Sequence, residues 1–160
     1  MSGVFLIVGH DDQYTDATVL RNTSGGYPHI TFFYSGKEID IMGLSDFANQ
    51  VFTFIQFEKK TNFILAPENA QLNSFYHERA GKQRYDVLLH LDAASKSVIE
   101  QLRDTIIRHQ IPEELVAKIS MGPPHVTHSI HWSEADAQAA LDEVRKHLPL
   151  TVALTGYTID

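Results

Sequence analysis

Two short segments of the chain carry the same pattern, and they decide the fold that we predict. Residues 27–36 are Tyr-Pro-His-Ile-Thr-Phe-Phe-Tyr-Ser-Gly, and residues 122–131 are Gly-Pro-Pro-His-Val-Thr-His-Ser-Ile-His. Both contain a proline followed by His-x-Thr, in which x is β-branched. Because β-branched and aromatic residues are enriched in strands, each segment is predicted to form a strand that begins after its proline.

The side chains of the two His-x-Thr motifs are predicted to share a face of their strands. Residues i and i+2 of a strand point the same way, so His29 lies beside Thr31 and His125 beside Thr127. The aliphatic spacers then face the core. An imidazole and a hydroxyl side by side are suited to hold one phosphoryl group.

The remainder of the chain alternates between strand and helix patterns, without a linker or low-complexity tract. Apolar residues at intervals of three and four predict helices, and runs of β-branched and aromatic residues predict strands. The predicted strands cover residues 3–9, 29–34, 62–66, 72–76, 85–91, 125–132 and 151–159, with a polar turn at 79–84. The predicted helices cover 44–55, 98–107 and 134–148, and Ser133 is predicted to cap the third. The predicted class is therefore α/β (α+β), with mixed, mainly antiparallel sheets.

The two halves of the chain repeat one order of elements. In residues 28–66 and again in 124–159, a Pro-His-x-Thr strand is followed by a helix and another strand. The match lies in the pattern rather than in the residues, so it suggests a duplication. Two such halves, packed face to face, would place both histidines across one central cleft.

Composition narrows the classes of function. The chain has 160 residues, nine histidines, no cysteine and a formal charge of −7. The length fits one domain. Without cysteine, disulfides and thiolate chemistry are excluded, and the negative charge disfavours non-specific binding to long nucleic acids. The short apolar run at residues 4–9 predicts neither a membrane span nor a signal peptide, so we expect a soluble, cytoplasmic protein.

The two motifs resemble those of the two-histidine (2H) phosphoesterase superfamily, which includes RNA 2′,3′-cyclic phosphodiesterases and the cyclic-phosphodiesterase domains of tRNA ligases. His29, Thr31, His125 and Thr127 match its motifs position for position. The resemblance implies a single bilobal domain of two pseudo-symmetric lobes over residues 1–160. We expect a monomer. Gly36 also matches a glycine of the bacterial branch, whereas residues 128–130 lack the arginine that often follows the second threonine there.

The chemistry expected of the motifs follows from imidazole. Its pKa of about 6.5 lets one histidine be neutral while another is protonated near neutral pH. The neutral histidine then serves as general base and the protonated one as general acid, and the threonine hydroxyls donate to the phosphoryl oxygens. We expect no metal and no cofactor. The sequence leaves open which histidine is the base.

The expected substrate is a nucleotide phosphodiester at a 2′ position, as in 2′,3′-cyclic phosphate ends of RNA or small cyclic nucleotides. Two alternatives stay open: degradation of 2′,5′-oligoadenylate or cyclic signalling oligonucleotides, and nucleotide binding without catalysis. A nucleotide or an RNA end is the expected partner, with no stable protein partner. Further substrate contacts are assigned to a cleft-lining pair and to a basic turn: Phe33 and Ser129, and Arg79, Lys82 and Arg84.

A zinc or iron site is the alternative for part of the second segment, because His125, His128 and His131 form an H-x-x-H-x-x-H run. On a helix these imidazoles would share one side, whereas on a strand His128 would face away from the other two. The β-branched residues of the segment favour the strand. The other histidines, His90 among them, receive no functional prediction.

Overall fold

The computed structural model describes residues 2–10, 28–35, 62–110 and 119–159, together with five helical residues between 46 and 53. Within these ranges the strands are β1 (Ser2–His10), β2 (His29–Ser35), β3 (Asn62–His77), β4 (Lys82–Leu91), β5 (Ile119–Ser120), β6 (His125–His131) and β7 (Leu150–Ile159), and the helices are α1 (Ala93–Gln110) and α2 (Glu134–Arg145). The predicted α+β class is confirmed.

The described strands form one antiparallel network in the order β1-β7-β3-β4-β6-β2-β5. An additional pairing joins β1 to β2. Six strands, all except β5, are therefore linked in a ring. The short strand β5 and strand β6 pair with different residues of β2. Within this network β2 and β6, the two motif strands, pair with each other.

The β1–β2 and β4–β6 pairs share one register pattern. Leu6 lies opposite Ile30, and Leu89 lies opposite Val126. One step further, the threonine of each motif pairs with an apolar residue, Phe5 or Leu88. The register then shifts at the next residue of the motif strand, so that Phe32 in β2 and His128 in β6 are the extra residues of two bulges. A bulge adds one residue to one strand and shifts the alternation of faces.

The core fills the inner side of these strands. Leu6, Ile30, Leu89, Val126 and Val152 are all at most 1% exposed. Fully burying such a side chain stabilises the fold by about 1.5–3 kcal/mol, so these residues fix which face of each strand looks inward. Helix α2 packs on β3, β4 and β6 and buries Ala137, Leu141 and Val144.

Several details of the sequence-based prediction are settled by the structure. The two strands predicted at 62–66 and 72–76 are one long strand, β3, whose register with β4 shifts between Leu65 and Ala70. The polar turn predicted at 79–84 is confined to residues 78–81, since Lys82 already belongs to β4. Ser133 caps α2 as predicted, and its hydroxyl accepts from the backbone N–H of Asp136.

The first predicted helix is partly described. Residues 46, 48, 49, 52 and 53 are helical, Ala48 is buried, and the ring of Phe52 packs 5.7 Å from that of Tyr157. Gly36 and the remaining residues of that helix prediction lie outside the described ranges. None of the described helices is both long and apolar enough to cross a membrane.

Candidate active site

The two His-x-Thr motifs meet where β2 pairs with β6. The register pair there is Ile30 and Val126, in antiparallel orientation. Antiparallel pairing brings His29 towards Thr127 and Thr31 towards His125. Ile30 is 0% and Val126 is 1% exposed, whereas the four motif side chains are half-buried on the opposite face. The alternation predicted from the sequence is confirmed at both spacers.

This register also gives the separation of the two histidines. His29 and His125 are diagonal neighbours across the pair, and such residues lie roughly 7–8 Å apart at the backbone. Imidazoles at that spacing can both reach one phosphoryl group between them. The electrostatic influence of His29 on the pKa of His125 is consistent with their proximity.

The tautomer of His125 follows from one hydrogen bond. Its Nδ1 lies 2.8 Å from the carbonyl oxygen of Pro123. A carbonyl only accepts, so Nδ1 carries the proton and, in the neutral ring, Nε2 keeps its lone pair. Burial lowers the pKa of His125, the bond to Pro123 opposes that shift, and the charges of His29 and Arg103 reinforce it. The neutral imidazole is therefore the favoured form.

His29 lies in a different environment. Its ring packs edge-on against that of Phe5, with ring centroids 5.1 Å apart. Phe5 is opposite Thr31 in the register of β1 and β2. Phe5 therefore gives His29 an apolar neighbour, whereas His125 has polar neighbours in Pro123 and His90.

Arg103 of α1 joins β2 to the segment that precedes β6. Its guanidinium donates three hydrogen bonds to backbone carbonyl oxygens, at 2.7 Å to Thr31, 2.8 Å to Phe32 and 2.7 Å to Gly122. The residue is 6% exposed. Burial lowers its pKa, but an arginine remains charged at physiological pH.

An irregularity in the backbone explains why an arginine is needed there. Between the pairs Tyr34–Ser120 and Ile30–Val126, β2 contributes three residues (31–33) and the facing chain contributes five (121–125). The extra residues include two prolines, which have no N–H to donate. Carbonyl groups in this gap lack ladder partners, and buried carbonyls require donors. The fork of Arg103 supplies them.

His90 of β4 adds a third imidazole to the site. It lies opposite His125 in the register, and the two ring centroids are 5.3 Å apart. Nε2 of His90 is 2.8 Å from the side-chain amide nitrogen of Gln71. An amide nitrogen donates, so Nε2 accepts and His90 is neutral. Burial, followed by the charges of His125 and Lys96, lowers the pKa of His90.

The two predicted cleft-lining residues do not line the site. Phe33 is 0% exposed and belongs to the core, and Ser129 is 4% exposed with its hydroxyl 2.7 Å from Nε2 of His131. Their assignment to the cleft rests on the i, i+2 alternation continuing two residues beyond each threonine. The bulges at Phe32 and His128 break the alternation there, so both assignments to substrate binding are wrong in this structure.

The predicted basic cluster lies at the turn of the β3–β4 hairpin, far from the motifs. Arg84 and Lys82 are six and eight residues before His90 on β4, which corresponds to roughly 20–27 Å. Arg84 forms two 2.8 Å bonds to the buried Asp86, and the ammonium of Lys82 lies 4.8 Å from the Trp132 ring centroid. Arg79 is exposed in the turn. The structure therefore does not place these cations at the motif site.

The H-x-x-H-x-x-H run lies on a strand, as the sequence favoured. His125 is half-buried on the motif face, whereas His128 is 3% exposed. The bulge at His128 also separates His125 from His131 in register. The helical arrangement that would bring the three imidazoles to one side is not formed.

Sequence reasoning missed Arg103, His90 and Gln71. A signal existed for Arg103, because it lies four residues after the buried Ile99 and so falls on the apolar face of its helix. A charged residue in that position is rarely buried without hydrogen-bonding partners. His90 and Gln71 gave no comparable signal, since their approach to the site depends on strand register.

Comparisons with known proteins support the fold. No protein-family model and no curated protein matches the chain. Among solved structures, the chain is similar to Usb1 of Kluyveromyces marxianus, solved with uridine monophosphate. The TM-score is 0.50 over 99% of this chain and 96% of that chain, at 10% sequence identity. At this identity the similarity is one of fold, and it extends over nearly the whole of both chains.

Proposed function

We propose that this protein is a metal-independent phosphodiesterase of the two-histidine type. Its substrate class is nucleotide phosphodiesters at a 2′ position, above all 2′,3′-cyclic phosphate ends of RNA and small cyclic nucleotides. The observation that carries the proposal is the meeting of the two His-x-Thr motifs at the Ile30–Val126 pair. The fold shared with Usb1, a protein solved with a nucleotide, supports it.

In the proposed reaction His125 is the general base. Its neutral form has Nδ1–H committed to Pro123, so Nε2 takes a proton from the attacking water. The water oxygen forms the new bond to phosphorus, and the bond from phosphorus to a ribose oxygen breaks. Protonated His29 gives its proton to that leaving oxygen. One histidine gains a proton and the other loses one, and solvent exchange restores both.

Thr31 and Thr127 are proposed to bind the non-bridging oxygens. Each threonine lies near the histidine of the other motif across the strand pair. Their hydroxyls can therefore donate from two sides to a phosphoryl group held between the imidazoles. Donors placed where negative charge develops stabilise the transition state more than the ground state.

The shared register pattern of β1–β2 and β4–β6 supports a domain of two pseudo-symmetric lobes. We propose one such domain over residues 1–160, acting as a monomer in the cytoplasm. Each lobe contributes one histidine and one threonine. The reaction centre then lies at the pseudo-twofold axis, where the lobes meet.

The test is hydrolysis of a nucleotide panel with EDTA present. The panel contains 2′,3′-cyclic mononucleotides, 3′,5′-cyclic mononucleotides, 2′,5′-linked and 3′,5′-linked diadenylates and RNA with a 2′,3′-cyclic phosphate end. We expect turnover of the 2′,3′-cyclic substrates, abolished in His125→Ala. Cleavage confined to 2′,5′ linkages would instead favour the signalling-oligonucleotide alternative. Tight binding without turnover of any panel member would refute catalysis.

A further inference from the structure

A cavity of about 420 Å³ opens directly beside His125, outside the two motifs. It is continuous with the site, because Pro123, whose carbonyl binds His125, and His90, whose ring packs against it, both line the cavity. Its polar lining groups include two side-chain amides, one carboxylate and one ammonium: Asn69, Gln71, Glu68 and Lys96. This volume falls within the range of small-molecule sites.

Strand register relates the β4 side of the site, which borders the cavity, to the β1 side. On the β4 side, Thr127 lies opposite Leu88, and Leu88 lies opposite Gln71. On the β1 side, Thr31 lies opposite Phe5, and Phe5 lies opposite Thr158. Gln71 and Thr158 are thus pseudo-equivalent and both exposed, but the amide of Gln71 borders the cavity.

Distances across the sheet match the size of one nucleoside. Neighbouring strands lie about 4.8 Å apart. The midpoint of β2 and β6, where the phosphoryl group is expected, is two strand spacings from the midpoint of β4 and β3, or roughly 10 Å. A ribose and a base extending from the phosphoryl group would cover that span and enter the cavity.

We infer that this cavity is the nucleobase subsite and that the amides of Asn69 and Gln71 recognise the hydrogen-bonding edge of the base. This inference rests on the proposed function, since it places the base relative to the reacting phosphoryl group. Amides donate and accept, so they can pair with the mixed edge of a base. The apolar side chains of Ala93 and Pro123 also line the cavity and offer exposed surface to the base ring.

The test compares substrates with and without a base. Steady-state kcat/KM is measured for the four nucleoside 2′,3′-cyclic monophosphates and for a base-free diester, bis(4-nitrophenyl) phosphate. We expect wild type to prefer one base, and Gln71→Ala and Asn69→Ala each to reduce kcat/KM for that nucleotide roughly tenfold, mainly through KM. In Asn69→Ala the base-free diester should change less than about twofold. Thr158→Ala, the matched control on the β1 side, should leave every substrate unchanged.

Each other result has a definite meaning. If wild type hydrolyses all four nucleotides equally and neither amide variant changes KM, the subsite assignment is wrong while the proposed function stands. If Gln71→Ala lowers activity on the base-free diester as much as on nucleotides, and Asn69→Ala has no effect, Gln71 acts by positioning His90, and the subsite is again refuted. If wild type hydrolyses no diester, the proposed function itself fails.

Discussion

Replacing Arg103 should reduce both stability and turnover, because this side chain joins β2 to the segment that precedes β6. Hydrogen bonds from a charged donor contribute about 1.5–3 kcal/mol each, and the three bonds of Arg103 share one donor group whose burial has its own cost. We therefore expect Arg103→Met to lower the free energy of unfolding by about 3–5 kcal/mol. Arg103→Lys keeps the charge but not the planar fork, so we expect about half that loss.

The effect on turnover is expected to exceed what stability explains. Loss of the fork releases the carbonyl groups of Thr31 and Gly122, which flank the two motifs, and displacements near 1 Å can cost about 10²-fold in rate. Unfolding is measured with urea, and kcat with a 2′,3′-cyclic nucleotide at a temperature where each variant is folded. We expect kcat to fall roughly 30–100-fold in Arg103→Met.

Ser95→Ala is the matched control. Ser95 is on the same helix and fully buried, and its hydroxyl accepts from the backbone N–H of Ile64 on β3. Its loss should destabilise the protein by about 1–3 kcal/mol while kcat stays within about threefold. If Arg103→Met is destabilised yet retains kcat as Ser95→Ala does, Arg103 is a structural residue only. A fully stable and active Arg103→Lys would refute the argument from fork geometry.

Further expected outcomes concern the proposed catalytic pair, His29 and His125, and two residues that do not lie at the site, Lys82 and Phe33. His29→Ala and His125→Ala should each lower kcat at least ~10²-fold, and the kcat of the double variant should be little lower than that of the worse single variant. In the same steady-state assay the kcat of His131→Ala, the control, should stay within a few-fold of wild type. Because burial holds the pKa of His125 below its usual 6.5 and the base must be neutral, the acid limb of log kcat/KM should lie below about pH 6.5. An acid limb above that value would contradict the assignment. The same lowered pKa means that the unfolded chain binds the proton more readily, so the free energy of unfolding should decrease as pH falls from 7 to 5, and less so in His125→Gln. Lys82→Ala should leave kcat/KM for mononucleotides within about twofold, since Lys82 is far along β4. Phe33→Ala should lower the free energy of unfolding by about 3–5 kcal/mol without raising KM in the folded fraction. A large increase in KM would indicate that Phe33 contacts the substrate.

The elements that were predictable from the sequence are those fixed by local rules. Alternation on a strand placed Ile30 and Val126 in the core and left the four motif side chains on the other face, and the burial of the spacers confirms it. The Ser133 cap followed from its position before a helical pattern. Such features depend on residues within a few positions of one another, so sequence alone contains the information.

The features that were not predictable depend on register between distant strands. A bulge at Phe32 is not signalled by the residues themselves, yet it turns Phe33 into the core and invalidates its assignment to the substrate. The long β3 strand was divided in two because Pro67 and its polar neighbours interrupt the strand pattern. Arg103 contacts carbonyl groups more than seventy positions away in β2, and only the folded chain brings them together.

The single register pair between β2 and β6 has a consequence for how the protein should lose activity. Across the described residues every other strand junction within the ring has four or more register pairs, whereas this one has Ile30–Val126 alone. Regions with few backbone bonds open at lower free energy than the rest of a structure. We therefore expect heat inactivation to begin several degrees below the loss of circular dichroism, and the amide protons of this seam to exchange with solvent before those of the β3–β4 hairpin.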